Sequence, residues 1–158
     1  MTIHTLQVTL TGQAHLKTRV VRHAQRLGFD LVRVTTADPL TDDADIARER
    51  VASGHMDGMP WFTEERVGCA GDPQALLPGA RAIIVVALSY LPPEKDPPDT
   101  QQPLGKVARY ARWKDYHLVM KERLGILAAT LSDELDVPVR SRVFVDDGPL
   151  LERAVARR

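Results

Sequence analysis

The chain has 158 residues, 21 basic and 21 acidic, with 44% hydrophobic and 27% charged positions. That size suits one domain with its own core, and the near-average composition excludes disordered, collagen-like and low-complexity classes. A formal net charge of zero gives no global electrostatic case for nucleic acid or a membrane surface, so any such partner must meet a local patch.

The single cysteine, Cys69, cannot close an internal disulfide or build a cysteine-ligated zinc or iron–sulfur site. The longest apolar run, Ala82 to Leu88, has seven residues, against about 20 for a membrane-spanning helix. Met1 to Lys17 contains no basic leader followed by an apolar block, and a soluble cytoplasmic protein is the expectation.

Leu16, Val20, Ala24 and Leu27 recur at helical spacing, with Gly28 as a stop, which predicts a helix over 12–27. A short strand from Phe29 to Thr35 or Thr36 follows. A second helix is expected over 42–52, opened by acids that suit its positive end and closed by Gly54. Short helical turns are expected at 61–66 and 73–77.

Residues 82–88 read as the clearest strand. Every position is apolar and most are β-branched, as expected when both faces are covered, so it should lie centrally in the sheet. Pro92 to Gly105 holds five of the eleven prolines and reads as an exposed loop or lid. The longest helix is expected over 115–135, with Leu118, Leu124, Leu127, Ala128, Leu131 and Leu135 on its buried side. Val139, Ser141, Val143 and Val145 alternate with Arg140, Arg142 and Phe144 and predict another strand, and a final helix begins near Pro149. Helices alternating with strands argue an α/β domain over 1–158, a layered mixed sheet flanked by helices.

Phosphate-loop, dinucleotide-turn, zinc-protease and nucleophile-elbow motifs are missing from the sequence. The five histidines are scattered, and no metal site is expected from their spacing. Three segments carry chemistry. Residues 54–62 crowd two glycines, a histidine, two methionines and two aromatics into one loop, which can close over a flat apolar ligand or serve as a turn whose aromatics dock into the core.

From Lys106 to Arg123, six basic residues face two acids, and two tyrosines and a tryptophan interleave with the charges. Such a run can neutralise phosphates while aromatic faces accept an unstacked base; equally it is a solvated edge with Asp115 as a helix cap. Third, the run Val143 to Val145 ends in Asp146-Asp147-Gly148-Pro149. In α/β domains ligands collect beyond the carboxyl ends of strands, so an acid there is placed for chemistry; otherwise Asp147 caps the helix and Asp146 is solvated.

Taken in order, Gly54-His55-Met56 with the aromatic pair after it, Asp72-Pro73, the 76–81 run into the apolar strand, and the run Leu88 to Pro93 resemble one family. Ala108-Arg109-Tyr110-Ala111, Asp115-Tyr116-His117, Phe144-Val145-Asp146 and Pro149 with Leu151-Glu152-Arg153 complete the pattern over about residues 14–158. The chain resembles the N-terminal catalytic domain of epoxyqueuosine reductases.

The resemblance implies a cobalamin-dependent reductive deoxygenation of epoxyqueuosine to queuosine in tRNA. It implies two four-iron four-sulfur clusters in a following ferredoxin-like domain, present in cis or in trans. It maps the proton donor onto Asp146, and the cobalamin and substrate cleft onto His55, Met56, Arg109, Tyr110, Asp115, Tyr116 and His117. Arg112 and Lys114 would meet tRNA phosphates. Departures from the family are Asp147-Gly148 where small or hydroxylic residues are usual, and the single cysteine, which leaves no cluster within this chain. The alternatives are a non-catalytic corrinoid- or tRNA-binding module and a cobalamin-dependent reductase of another substrate.

Overall fold

The computed structural model describes residues 10–90, 105 and 107–158. The expected proline-rich loop, Gly105 apart, lies outside the described residues, as do Lys106 and the Leu91-Pro92-Pro93 part of the family pattern. Helix α1 spans Leu10–Arg26 and strand β1 Leu31–Thr36. Helices α2 (Thr41–Ala52), α3 (Glu64–Ala70) and α4 (Pro73–Leu76) lead to strand β2 (Ala82–Ala87). A 3-10 turn at Arg109–Arg112, the long helix α5 (Tyr116–Leu135) and helix α6 (Glu152–Arg157) complete the order.

Side-chain caps fix several boundaries. Thr63 accepts the Arg66 N–H to open α3, Asp72 accepts from Gln74 ahead of Pro73 in α4, and Asp115 accepts from His117 at the start of α5. Each satisfies a backbone donor that the helix leaves unpaired. Gly28 ends α1 with φ +88, a conformation that suits a residue without a Cβ.

The fold is α/β, with helices around an antiparallel pair in which Leu31 faces Ala87 and Thr36 faces Ala82. The period of two along β2 divides its side chains between two clusters. Ile84 and Val86 pack with Val20, Ala24, Phe29, Val32, Leu127 and Leu131, between α1 and α5. Ile83 and Val85 pack on Leu40 with Ala154 and Val155 of α6. Both faces of this strand therefore meet apolar partners, although Ile83 to Val86 stay half-buried and Ala82 and Ala87 are exposed. Each fully buried Leu or Val contributes about 1.5–3 kcal/mol. Arg19 pairs with Asp136 at 2.9 Å, Arg26 with Glu134 at 2.7 Å, and Arg123 donates to the Gly28 carbonyl at 2.9 Å, tying α1 to α5.

Three local expectations change. Strand β2, expected centrally in the sheet, is one of two strands among the described residues and so lies at an edge, with β1 on one side and no ladder on the other. Residues 139–145 run without a strand ladder among the described residues, so the sheet there has β1 and β2 alone. The segment is held instead by side chains: Ser132 accepts the Val139 N–H at 2.9 Å, and Arg142 reaches the Leu76 carbonyl at 2.8 Å. Leu118, expected on the buried side of α5, is 67% exposed, whereas Leu127 and Leu131 further along are buried.

Candidate active site

The edge of β2, one face of α5 and residues 138–146 wall a cleft of about 1310 Å³. Its floor is aliphatic, and Tyr90, Tyr110, Trp113, Tyr116, Asp146 and Glu152 stand among its lining. A second cleft of about 550 Å³, bounded by α2, Met56 and α6, shares Asp146 and Glu152 with the first. The Asp146–Glu152 pair is thus common to both.

Asp146 occupies a backbone conformation unusual for its type, with φ +51. Asp tolerates the left-handed region better than most residues, and a non-glycine held there is a reason to look for function. The turn around it is fastened at several points. Asp147 Oδ1 accepts the Val145 N–H at 3.0 Å, and Glu152 Oε1 accepts the Asp146 N–H at 3.1 Å. Arg66 of α3 donates to the Gly148 carbonyl at 3.1 Å, and Leu151 N–H to the Ala70 carbonyl at 3.2 Å. Gly148 lies so close against the Phe144 ring that a Cβ would clash with its Cδ1, and the Arg142 guanidinium lies 5.1 Å from that ring's centre.

The Tyr116 hydroxyl donates to Asp146 Oδ2 at 2.8 Å, which raises the phenol's pKa because ionisation would set two anions together. Burial, and then the charge of Asp146, raise the Glu152 carboxyl above its ordinary value. Asp147 moves the other way: the Lys121 ammonium, 2.5 Å from Oδ2, lowers it. Three carboxyls within seven residues thus have different surroundings, one on a phenol, one half-buried and one on a cation. Asp147 does not cap α6, which begins at Glu152 after Leu151.

The segment 109–117 joins the same wall. Tyr90 meets Tyr110 edge-on at 6.3 Å, Tyr110 meets Tyr116 at 6.0 Å, and His117 stacks on Tyr116 at 4.1 Å. Such edge and offset contacts are favourable for aromatic quadrupoles. Asp115 both caps α5 and accepts from His117 Nδ1 at 2.8 Å, a bond that lowers the Asp115 carboxyl. Lys114 and the 58%-exposed Trp113 line the cleft, and exposed Arg112 is oriented by a bond from Nε to the Val107 carbonyl at 2.8 Å. Arg109 opens the 3-10 turn and is half-buried.

The 54–62 loop lies elsewhere. Met56 lines the smaller cleft, while His55 is turned to the Ser53 hydroxyl at 2.6 Å and lines neither. Phe62 packs against Val67, as a docked aromatic would, but Trp61 stays 58% exposed. Glu152, Lys121 and Tyr90 were not singled out as site residues by sequence reasoning. Glu152 sits inside the Leu-Glu-Arg run already noted, and Tyr90 lies just past the carboxyl end of β2, where ligand-binding residues collect. Lys121 gives no local signal, because its partner arrives from the turn after residue 145.

A family model described as "Epoxyqueuosine reductase QueG, DUF1730" matches residues 71–147. The epoxyqueuosine reductase of Staphylococcus aureus (strain NCTC 8325 / PS 47) is 34% identical over 146 residues, covering 90% of this chain and 37% of that protein. That of Bacillus subtilis (strain 168) is 33% identical over 145 residues, covering 90% and 36%. A crystal structure of epoxyqueuosine reductase with a tRNA-Tyr epoxyqueuosine-modified tRNA stem loop superposes with TM-score 0.77 at 32% identity, over 92% of this chain and 38% of that one. The chain is a relative of the epoxyqueuosine reductases in sequence and in fold, and it spans somewhat over a third of the length of the relatives it matches.

Proposed function

We propose that this chain forms the catalytic cleft of an epoxyqueuosine reductase, which removes the epoxide oxygen of epoxyqueuosine in tRNA, with Asp146 as the proton donor. The reading rests on one observation above all: a strained acid at the mouth of a large cleft, bonded to a tyrosine, in a chain related to epoxyqueuosine reductases. Converting an epoxide to an alkene and water consumes two electrons and two protons. Charge develops on the departing oxygen, and an acid beside it lowers the barrier by delivering a proton as the bond breaks. Asp146, protonated from the solvent it is exposed to, would make that transfer and be left as the carboxylate that Tyr116 donates to. Tyr116 fixes the orientation of its carboxyl group.

The cleft suits a large flat cofactor such as cobalamin. Its volume exceeds the usual range of about 300–1,000 Å³ for ligand pockets, and aliphatic walls with a tyrosine rim match an apolar macrocycle bearing polar edges. Tyr110, Trp113, Tyr116 and Met120 would hold it, and when bound it would supply a low-potential cobalt centre for the reduction. His55 would serve such a group only indirectly, as it lies outside this lining.

Iron–sulfur clusters do not fit this chain. Cys69 is its single cysteine, and no group of three or more His, Cys, Asp or Glu side chains able to hold a metal ion occurs among the described residues. Electrons would have to reach the site from another domain or protein. On the rim, Arg112 and Lys114 beside exposed Trp113 would take phosphates and an unstacked base of the tRNA loop.

The test mixes the chain with cobalamin, a low-potential chemical reductant and a stem-loop RNA carrying epoxyqueuosine, then digests the RNA and weighs its nucleosides. Loss of one oxygen from the modified base supports the reading. No change in the cobalamin absorbance on adding the chain, with equal affinity for RNA with and without the modification, overturns it. Cobalamin binding without turnover would leave the non-catalytic binding module as the better description.

A further inference from the structure

Two backbone N–H groups of the 145–147 turn are satisfied by side chains, and one of those acceptors comes from outside it. Glu152, the first residue of α6, accepts the Asp146 N–H on Oε1. We propose that Glu152 is a positioning residue for Asp146: by taking its N–H it keeps that backbone left-handed, and so aims the Asp146 carboxylate at Tyr116.

Three features support this. Glu152 forms no ion pair among the described residues, so no cation there gives its half-buried carboxyl another purpose. Its own backbone is rigidly seated, because Leu151 is bonded to Ala70 just before it, and Ala154 and Val155 just after it are packed on Leu40. Third, the acid it holds lies between the two clefts, so a rotation at φ of Asp146 would swing the carboxylate from Tyr116. The charges that act most on Glu152 are Asp146 and Asp147, the latter already paired with Lys121, and it shares the smaller cleft with Asp43, Arg50, Arg153 and Arg157.

The catalytic meaning of this clamp rests on Asp146 being the proton donor, but its test does not. The chain alone, with carbon-13 in its tyrosine rings, is titrated by NMR as the unsubstituted protein and as Glu152→Ala and Glu152→Gln. Tyr116 reports on its bond to Asp146, since that bond is the main cause of its raised pKa.

In Glu152→Ala the proton affinity of Tyr116 should fall by about threefold or more; Glu152→Gln keeps an acceptor oxygen and should leave it unchanged. An unmoved Tyr116 in Glu152→Ala, or equal movement in both variants, overturns the clamp. If Glu152→Ala does not fold, the Asp146 amide of the unsubstituted chain decides. Exchange about tenfold or more slower than in an unstructured peptide supports the bond, and exchange at the unstructured rate overturns it. Failure here leaves the reductase reading standing, and absence of cobalamin or RNA binding leaves the clamp standing.

Discussion

The Tyr116 hydroxyl and the Asp146 carboxylate meet at 2.8 Å, although 30 positions separate them in the chain. One residue opens α5, and the other closes the extended run beside the cleft. The bond therefore couples the long helix to the turn before α6, and both partners face the same cavity.

Asp146→Asn is the sharpest test of that pairing. Asparagine tolerates the left-handed backbone and still accepts from Tyr116, so the thermal midpoint should stay within a few degrees of the parent's. Proton delivery should be abolished, with turnover down by about 10²-fold or more, the scale of general-acid contributions. The raised Tyr116 titration should fall only part of the way, because the bond to an amide oxygen remains while the anion opposite the phenol is gone. Near-normal turnover in this variant would remove Asp146 from the donor role.

Glu152 carries a pH signature of its own. Its folded pKa lies above the unfolded value, so the folded state binds its proton more tightly. The stability this group adds is fully present below the unfolded pKa, and it is lost as pH rises through the folded one. Glu152→Gln should therefore gain stability relative to the parent as pH rises from about 4 toward 7, read as a growing difference in thermal midpoint. Asp147 has the opposite slope: Lys121 lowers it, so its contribution is present above its unfolded pKa and fades as pH falls through the folded one. Lys121→Met should flatten the acid limb of the stability curve.

How far these features were readable in advance depends on their range along the chain. The 3.6-residue spacing of Leu16, Val20, Ala24 and Leu27 announces α1, and the Asp115 cap is local chemistry within three residues. The unbroken Ala82–Leu88 run announces a strand that meets apolar partners on both faces, because burial leaves its mark on side-chain type. The alternation over 139–145 marks an extended chain with two unlike sides, yet a ladder also needs a neighbouring backbone, which no pattern in the segment specifies. The left-handed turn at Asp146 was illegible for a related reason. Asp-Asp-Gly signals a turn, but which residue takes positive φ is decided by Glu152 and by Phe144 pressed on Gly148.

Gly148 is held to glycine by space. A methyl group there would clash with the Phe144 ring, so the ring must leave its place and with it the Arg142 guanidinium. Gly148→Ala should cost about 1–3 kcal/mol in urea unfolding, as overpacked sites do. The same variant should also move the Tyr116 titration, since Asp146 lies in the displaced turn.

Leu40 links the core to the site from the opposite side. It is 1% exposed and packs on Ala154 and Val155, the residues that seat α6 behind Glu152. Leu40→Ala should cost about 2–5 kcal/mol, the usual range for removing a buried leucine side chain. Amide exchange should quicken first in α6, and a uniform loss of protection across α1 and α5 instead would show that Leu40 serves the whole core equally.

Trp113 and Lys114 line the larger cleft, and exposed Arg112 precedes them in the chain. If this rim meets RNA, its contribution comes mainly from phosphate neutralisation, whose size is read from the dependence of affinity on salt. Arg112→Glu combined with Lys114→Glu should weaken binding of an epoxyqueuosine stem-loop. It should also lower the slope of log affinity against log salt by about 0.7–0.9 for each phosphate that the rim no longer neutralises. Trp113→Ala should weaken binding with the slope unchanged, because stacking releases no counterions. Unaltered affinity and slope in the double variant would move the RNA path away from this rim, and the exposed tryptophan would then need another partner.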